Sequence, residues 1–206
     1  TCALPISLRD LATLEVVDTF AFEHGDERGR FAEIGWCCSV GELRGVEGKV
    51  LVVGTCIASD DAKIERGRLL LFQLAEGKKL KLISCNEFSN GGVKAATIVR
   101  GAVLAAIRGA NVLFKWDYAI ERRLVKASSS GGHIEGTAFD VQENIVVSGD
   151  ALTSLAFCSV NAEQAKIIEF ARDFQDNYIT SVQLVDYASA LAADLTGNLL
   201  LVQVIR

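Results

Sequence analysis

The sequence has no methionine, a single proline and only two histidines among its 206 residues. Without a methionine there is no initiator residue, so we expect the chain to be part of a longer protein. The proline, Pro5, lies in the opening segment TCALPI, which has neither a strand pattern nor a helix cap. We therefore expect residues 1–5 to be a non-native or unordered lead.

Basic residues are also too few and too scattered to form a stripe, and the net charge is −5. A protein that tracks a nucleic-acid backbone or a membrane surface normally concentrates lysine and arginine on one face. No apolar run approaches the roughly 20 residues that span a bilayer, which predicts that the chain does not enter a membrane. Half of the residues are hydrophobic, enough for an ordered core rather than a disordered segment.

Catalytic and metal-binding motifs are missing as well. The six cysteines form no C-x-x-C pair, and His24 and His133 stand apart in the sequence. We find no nucleophile elbow, zincin helix or phosphate-binding loop. Asp60-Asp61 is interpreted as a solvated loop tip, and Asp150 as a turn cap because no histidine lies near it in the sequence. The sequence therefore predicts no catalytic residues, no metal site and no cofactor.

Short apolar and alternating runs dominate, separated by turn-forming Gly, Asn, Asp and Ser. The best helix candidate, residues 161–174, fits neither helical nor strand periodicity cleanly, and a turn followed by a strand is preferred. Four apolar segments recur at intervals of 42, 43 and 44 residues, ending at Phe72, Phe114, Phe157 and Leu201. Each follows another apolar run after a short turn.

This recurrence predicts an all-β chain, a partial β-propeller of four-stranded antiparallel, WD40-like blades. About 3.5 to 4 blades are expected within residues 6–206. Alanine-rich second strands would let neighbouring blades approach closely. Two charged inserts, 23–32 and 58–67, interrupt the first complete unit. The expected blades are 6–22 (partial), 33–88, 93–130, 134–174 and 179–205 (partial).

Several stretches carry a family resemblance: KVLVVGTCI followed by GRLLLF, VLAAIRGANVLFKWD, GGHIEGTAFDVQENIVVSGDALTS and EFARDFQDNYITSVQLVD. Together they resemble the C-terminal part of the third propeller in the damaged-DNA-binding-protein-1 family, the adaptors of cullin-RING ubiquitin ligases. The resemblance extends over about residues 6–205. The superfamily also includes the large cleavage-and-polyadenylation factor subunit and a splicing factor subunit.

The resemblance implies a protein-interaction scaffold rather than an enzyme. The family's aromatic anchor falls on Tyr178, with Asn177 and Arg172 nearby, in a polar stretch between two strands. A position that is usually basic in the family falls on Thr153, and a usually apolar strand falls on 134–138, which includes Glu135 and Thr137. The residues that the resemblance implies for partner binding are Tyr178, Asn177, Arg172, Thr153, Glu135 and Thr137.

The resemblance implies substrate-receptor proteins and the remaining propellers of the full-length chain as partners, with the cullin ligase contacted indirectly. DNA or RNA would be contacted through the complex. The expected location of the protein is the nucleus and also the cytoplasm. The alternative is a propeller scaffold of an mRNA 3'-end-processing or splicing complex. A propeller hydrolase or lectin is a third interpretation, weakened by the missing catalytic residues.

Overall fold

A computed structural model of the chain describes residues 5–22, 31–59, 66–75 and 79–205. These residues contain seventeen β-strands in five antiparallel sheets and no helix. The chain is thus an all-β partial propeller, as the recurrence predicts. Among the described residues, no helix is present that could cross a membrane.

In every sheet, each strand pairs with its neighbour in the sequence. A two-stranded ribbon comes first, with β1 (Ile6–Arg9) and β2 (Val16–Phe20). Blade 1 contains β3 (Phe31–Glu42), β4 (Lys49–Ser59), β5 (Gly67–Ala75) and β6 (Lys79–Phe88). Blade 2 contains β7 (Val93–Val99), β8 (Ala102–Ile107), β9 (Ala110–Asp117) and β10 (Arg123–Ser130).

Blade 3 contains β11 (Gly136–Gln142), β12 (Ile145–Asp150), β13 (Ser154–Asn161) and β14 (Lys166–Arg172). Blade 4 has three strands, β15 (Ile179–Asp186), β16 (Ser189–Asp194) and β17 (Leu199–Gln203). Residues 161–174 form a turn and then β14, so the preference for a strand over a helix is confirmed.

The two charged inserts are shorter than the sequence suggests. Residues 31–32 pair with residues 58–59, and both pairs extend the strands β3 and β4. The bounds 23–32 and 58–67 were therefore too wide, because β3 already begins at Phe31, β4 continues to Ser59 and β5 begins at Gly67. The remaining parts, 23–30 and 60–65, lie outside the described residues, as do Asp60, Asp61, His24 and Cys2.

Alternate residues of one strand pack against different neighbouring sheets. In β9, Val112 and Phe114 join a core cluster with blade 1, whereas Leu113 belongs to a cluster with blade 3. In β12, Val146 contributes to the core shared with blade 2, and Val147 to the core shared with blade 4. Because successive side chains of a strand point to opposite faces, blades 2 and 3 are each covered on both sides by their neighbours.

Small residues set the spacing between the inner parts of adjacent blades. A Cβ atom added at Gly136 would lie 2.7 Å from Cβ of Ala106, and one at Gly149 would lie 2.7 Å from Cγ2 of Ile179. These distances are shorter than carbon atoms tolerate, so a side chain at either position would push two sheets apart. Ala106 belongs to the alanine-rich strand β8, whose predicted role in close packing is confirmed.

Blade 1 also contains a buried ion pair. Glu33, on β3, is fully buried and accepts hydrogen bonds from both Nε and Nη2 of Arg68, on β5. Thr55, on β4, donates its hydroxyl hydrogen to Oε1 of Glu33 at 2.6 Å. These contacts connect three strands at the end of the blade where β3 begins.

We expect Gly149→Ala to loosen the contact between blades 3 and 4, since the new methyl group would meet Ile179 and Val182. The expected loss is about 1–3 kcal/mol of stability, with reduced amide protection in β12 and β15 by hydrogen exchange. Gly131→Ala is the matched control, because a Cβ atom there has no neighbour within 4 Å. Equal protection in the two variants would contradict the packing described here.

Candidate partner-binding site

Four connections lie close together at one end of blades 3 and 4. Antiparallel pairing brings the links between blades and the turns between second and third strands to the same end of the sheets. We call this end the loop face, formed by residues 131–135, 151–153, 173–178 and 195–198. Five of the six predicted partner-binding residues lie on it or at its edge, and Thr137 follows directly in β11.

The carboxylate of Asp150 organises two of these loops. It is fully buried and accepts backbone hydrogen bonds from Ile134 at 2.9 Å and Glu135 at 2.7 Å through one oxygen. Its other oxygen accepts from Leu152 at 2.8 Å and Thr153 at 2.9 Å. The interpretation of Asp150 as a turn cap is confirmed, and the cap also holds the preceding interblade loop.

Asp150 does have a histidine near it, contrary to the expectation from the local sequence. Nδ1 of His133 lies 3.8 Å from Oδ2 of Asp150, although 17 positions separate the two residues in the sequence. The fold brings them together because one residue precedes β11 and the other ends β12. A spacing of this length carries no recognisable motif, so sequence inspection missed the pair.

The His133–Asp150 pair is not arranged for proton transfer. Nε2 of His133 faces the amide nitrogen of Asn111 at 2.9 Å, so this ring nitrogen is already occupied. Both oxygens of Asp150 accept backbone hydrogen bonds. Burial lowers the pKa of His133 from its ordinary value of 6.5, with a further lowering from Arg172 that outweighs the opposing effect of Asp150. Asp150 therefore holds the loops, and His133 packs beside it without a hydrogen bond between the two side chains.

Arg172 joins the outer strand of blade 3 to the loop face. Its guanidinium donates to both carboxylate oxygens of Glu169, at 2.7 and 2.6 Å, and lowers the pKa of that carboxyl group. It also donates to the carbonyl of Gly132 at 2.6 Å and to the hydroxyl of Thr153 at 3.4 Å. The side chain is half-buried, so its charge is largely committed within the molecule.

Asn177 and Thr137 are likewise engaged internally. The amide of Asn177 donates to Oγ of Ser154 at 3.4 Å and to Asp173 at 3.3 Å. The hydroxyl of Thr137 donates to the carbonyl of Ile179 at 2.8 Å, connecting β11 with β15. These contacts help to fix the geometry of the loop face, and they use the donor groups of both side chains.

Glu135 and Tyr178 are the predicted residues that contribute most to the outer surface. Glu135 forms an ion pair with Lys94 of blade 2, and Lys94 lies 5.5 Å above the ring of Trp36 on blade 1. Tyr178 is 46% exposed, and its backbone carbonyl accepts a hydrogen bond from the amide of Leu195 at 2.8 Å. Contacts through Asp150, Arg172 and Asp173 connect four of the six predicted residues, and Tyr178 follows Asn177 directly in the chain.

The sequence analysis missed the apolar side chains on this face. Phe174 is 89% exposed, and Ile134, Leu152 and Leu195 are also exposed. A signal was available, since Asp150, Asp173 and Asp194 each stand one or two positions before an apolar residue in a turn.

Comparisons with known proteins agree with this architecture. The family model described as the CPSF A subunit region matches residues 5–205. The chain belongs to this family. It is 28% identical to DNA damage-binding protein 1a of Arabidopsis thaliana over 206 residues, which covers 96% of the chain and 18% of that protein.

Two further relatives are named DNA damage-binding protein 1. DNA damage-binding protein 1 of Solanum lycopersicum is 29% identical over 73% of the chain and 14% of its own length. The protein of that name in Caenorhabditis elegans is 26% identical over 91% of the chain and 16% of its own length. The chain thus spans less than a fifth of the relatives that it matches, and it resembles part of DNA damage-binding protein 1.

We expect the loop face to lose stability as the pH falls below 6.5, the ordinary pKa of histidine. In that range the unfolded chain binds a proton that buried His133 does not, so stability rises with pH. His133→Gln should remove this dependence. The measurement is the protection factor of the amides of Ile134, Glu135, Leu152 and Thr153 between about pH 5.5 and 7.5.

His24 is present in both proteins, so its titration cancels in the comparison. Identical pH slopes in the parent and in His133→Gln would show that the buried imidazole has no such role.

Proposed function

We propose that the chain is part of a non-catalytic scaffold that holds substrate-receptor proteins and links them to a cullin-RING ubiquitin ligase in the nucleus and cytoplasm. The observation that carries this proposal is the loop face, where exposed aromatic and aliphatic side chains rest on a rigid hydrogen-bonded base. Membership of the family and similarity to DNA damage-binding protein 1 support it. The partner-binding residues would be Tyr178, Asn177, Arg172, Thr153, Glu135 and Thr137.

Some of the six residues would contact a partner directly, and the others would hold the loops of the site in place. Tyr178 offers a flat ring with a polar tip, a type of side chain that is enriched at interface centres. Glu135 and Thr153 lie on two other loops of the same face, both held by Asp150. Arg172, Asn177 and Thr137 act on a partner through the loops that they hold, since their polar groups already bond within the chain. Substituting these three would disturb folding and binding together.

Tyr178→Ala in the full-length protein should weaken receptor capture by about tenfold or more, because truncating a hot-spot aromatic side chain costs about 2 kcal/mol or more. The matched control is Tyr118→Ala. Tyr118 is 72% exposed and follows β9, at the opposite end of the sheets. The measurement is quantitative pull-down of substrate receptors and cullin. Equal receptor capture by both variants would show that Tyr178 is not part of the partner-binding site.

The family description also favours a second candidate, an mRNA 3'-end-processing or splicing scaffold with the same architecture. DNA or RNA would then be contacted through the assembled complex. Co-purification of the full-length protein separates the two functions. Recovery of cullin and substrate receptors would support the ligase scaffold. Recovery of polyadenylation or splicing subunits without cullin would support the mRNA-processing scaffold instead.

A further inference from the structure

The interface between blades 2 and 3 encloses polar side chains as well as apolar ones. We define this interblade seam as the two sheet faces that meet where Leu113 of β9 and Val146 of β12 share a core cluster. Asn111 stands two positions before Leu113, and Ser128 of β10 pairs directly with Leu113, so both side chains lie on the seam face of blade 2. Ser148 stands two positions after Val146 and lies on the seam face of blade 3.

Three buried side-chain atoms in the described part of the chain have no hydrogen-bond partner. They are Oδ1 of Asn111, Oγ of Ser128 and Nδ1 of His133. Asn111 and Ser128 belong to the seam, and Nε2 of His133 faces the amide nitrogen of Asn111 at 2.9 Å. Buried polar atoms in folded proteins are nearly always satisfied by protein groups or by ordered water. Three such atoms in or beside one interface therefore indicate a ligand that the protein holds there.

The contacts of Asn111 determine what each unpartnered atom can offer. Its amide nitrogen donates to Oγ of Ser148 at 3.3 Å and also faces Nε2 of His133. Because an amide nitrogen can only donate, Nε2 accepts, and the neutral imidazole carries its hydrogen on Nδ1. The unpartnered atoms are therefore a donor on His133, an acceptor on Asn111, and the hydroxyl of Ser128, which can be either.

This mixture of groups favours a small neutral ligand that both donates and accepts. A cation is disfavoured because the hydrogen on Nδ1 of His133 would point toward it. The described residues also contain no group of three or more His, Cys, Asp or Glu side chains that could hold a metal ion. An anion is disfavoured because the fully buried carboxylate of Asp150 lies 3.8 Å from Nδ1. Water meets all of these requirements.

We propose that the interblade seam binds ordered water molecules, which accept a hydrogen bond from Nδ1 of His133, donate to Oδ1 of Asn111 and pair with the hydroxyl of Ser128. Buried water of this kind belongs to the structure and typically makes about three hydrogen bonds. It joins blade 2, which carries Asn111 and Ser128, to the loop 131–135, which carries His133. Water is thus part of the support beneath the loop face. This inference does not depend on the proposed scaffold function.

An electron cryo-microscopy map of the full-length protein, at a resolution that shows ordered water, tests the proposal directly. We expect water density at about 2.6–3.2 Å from Nδ1 of His133, Oδ1 of Asn111 and Oγ of Ser128. A protein side chain or an ion at these places would overturn the inference. So would the lack of density beside all three atoms in a map that shows buried water elsewhere in the protein.

Ser128→Ala in the full-length protein gives a second test, because the expected change has opposite signs with and without water. If water pairs with the hydroxyl, the variant loses a hydrogen bond, and amide protection across β9 and β10 should fall about threefold in hydrogen exchange followed by mass spectrometry. Without water, the variant would remove an unpartnered buried hydroxyl, and protection would rise.

Ser129→Ala is the matched control, since Ser129 is exposed on the same strand and should leave protection unchanged. Protection that rises in Ser128→Ala, or that equals the control, would overturn the inference.

Discussion

The structure depends on apolar side chains that alternate between the two faces of every complete sheet. A four-stranded sheet with both faces apolar is not stable by itself, because one face would remain in water. Here Val112 and Phe114 turn toward one neighbour and Leu113 toward the other, so each blade completes the core of the next. Glycine at positions 136 and 149 lets the inner strands meet closely. This stacking brings the loops of successive blades to the same end.

Buried polar side chains then fix the conformation of the loops at that end. One carboxylate, Asp150, satisfies four backbone amides of two loops, and Arg172 connects a third element to them. Buried donors left without acceptors would cost about 1–3 kcal/mol each, so these loops are strongly held in one conformation. A rigid base of this kind lets Phe174 and Leu195 stay exposed without collapsing onto the sheets. Binding a partner then requires little ordering of the surface.

The fold was predictable from the sequence because its evidence is local and repeated. Strand runs, turn residues and the recurrence ending at Phe72, Phe114, Phe157 and Leu201 are all visible within short windows. The contacts Glu33–Arg68, His133–Asp150 and Lys94–Glu135 were not predictable, because they join residues 17 to 41 positions apart with no motif. The sequence indicated the region of the proposed site but not the role of each residue in it. The family resemblance pointed to Arg172, Asn177 and Thr137, yet their polar groups bond internally, whereas the sequence analysis gave no role to the exposed Phe174.

The most direct test of this account is an electron cryo-microscopy structure of the full-length protein bound to its co-purifying partner. The account predicts blades 1 to 4 stacked side by side, with partner density over residues 131–135, 151–153, 173–178 and 195–198. Density confined to the opposite turns, which include Ile120 and Glu47, or sheets paired into a closed two-layer sandwich, would contradict it.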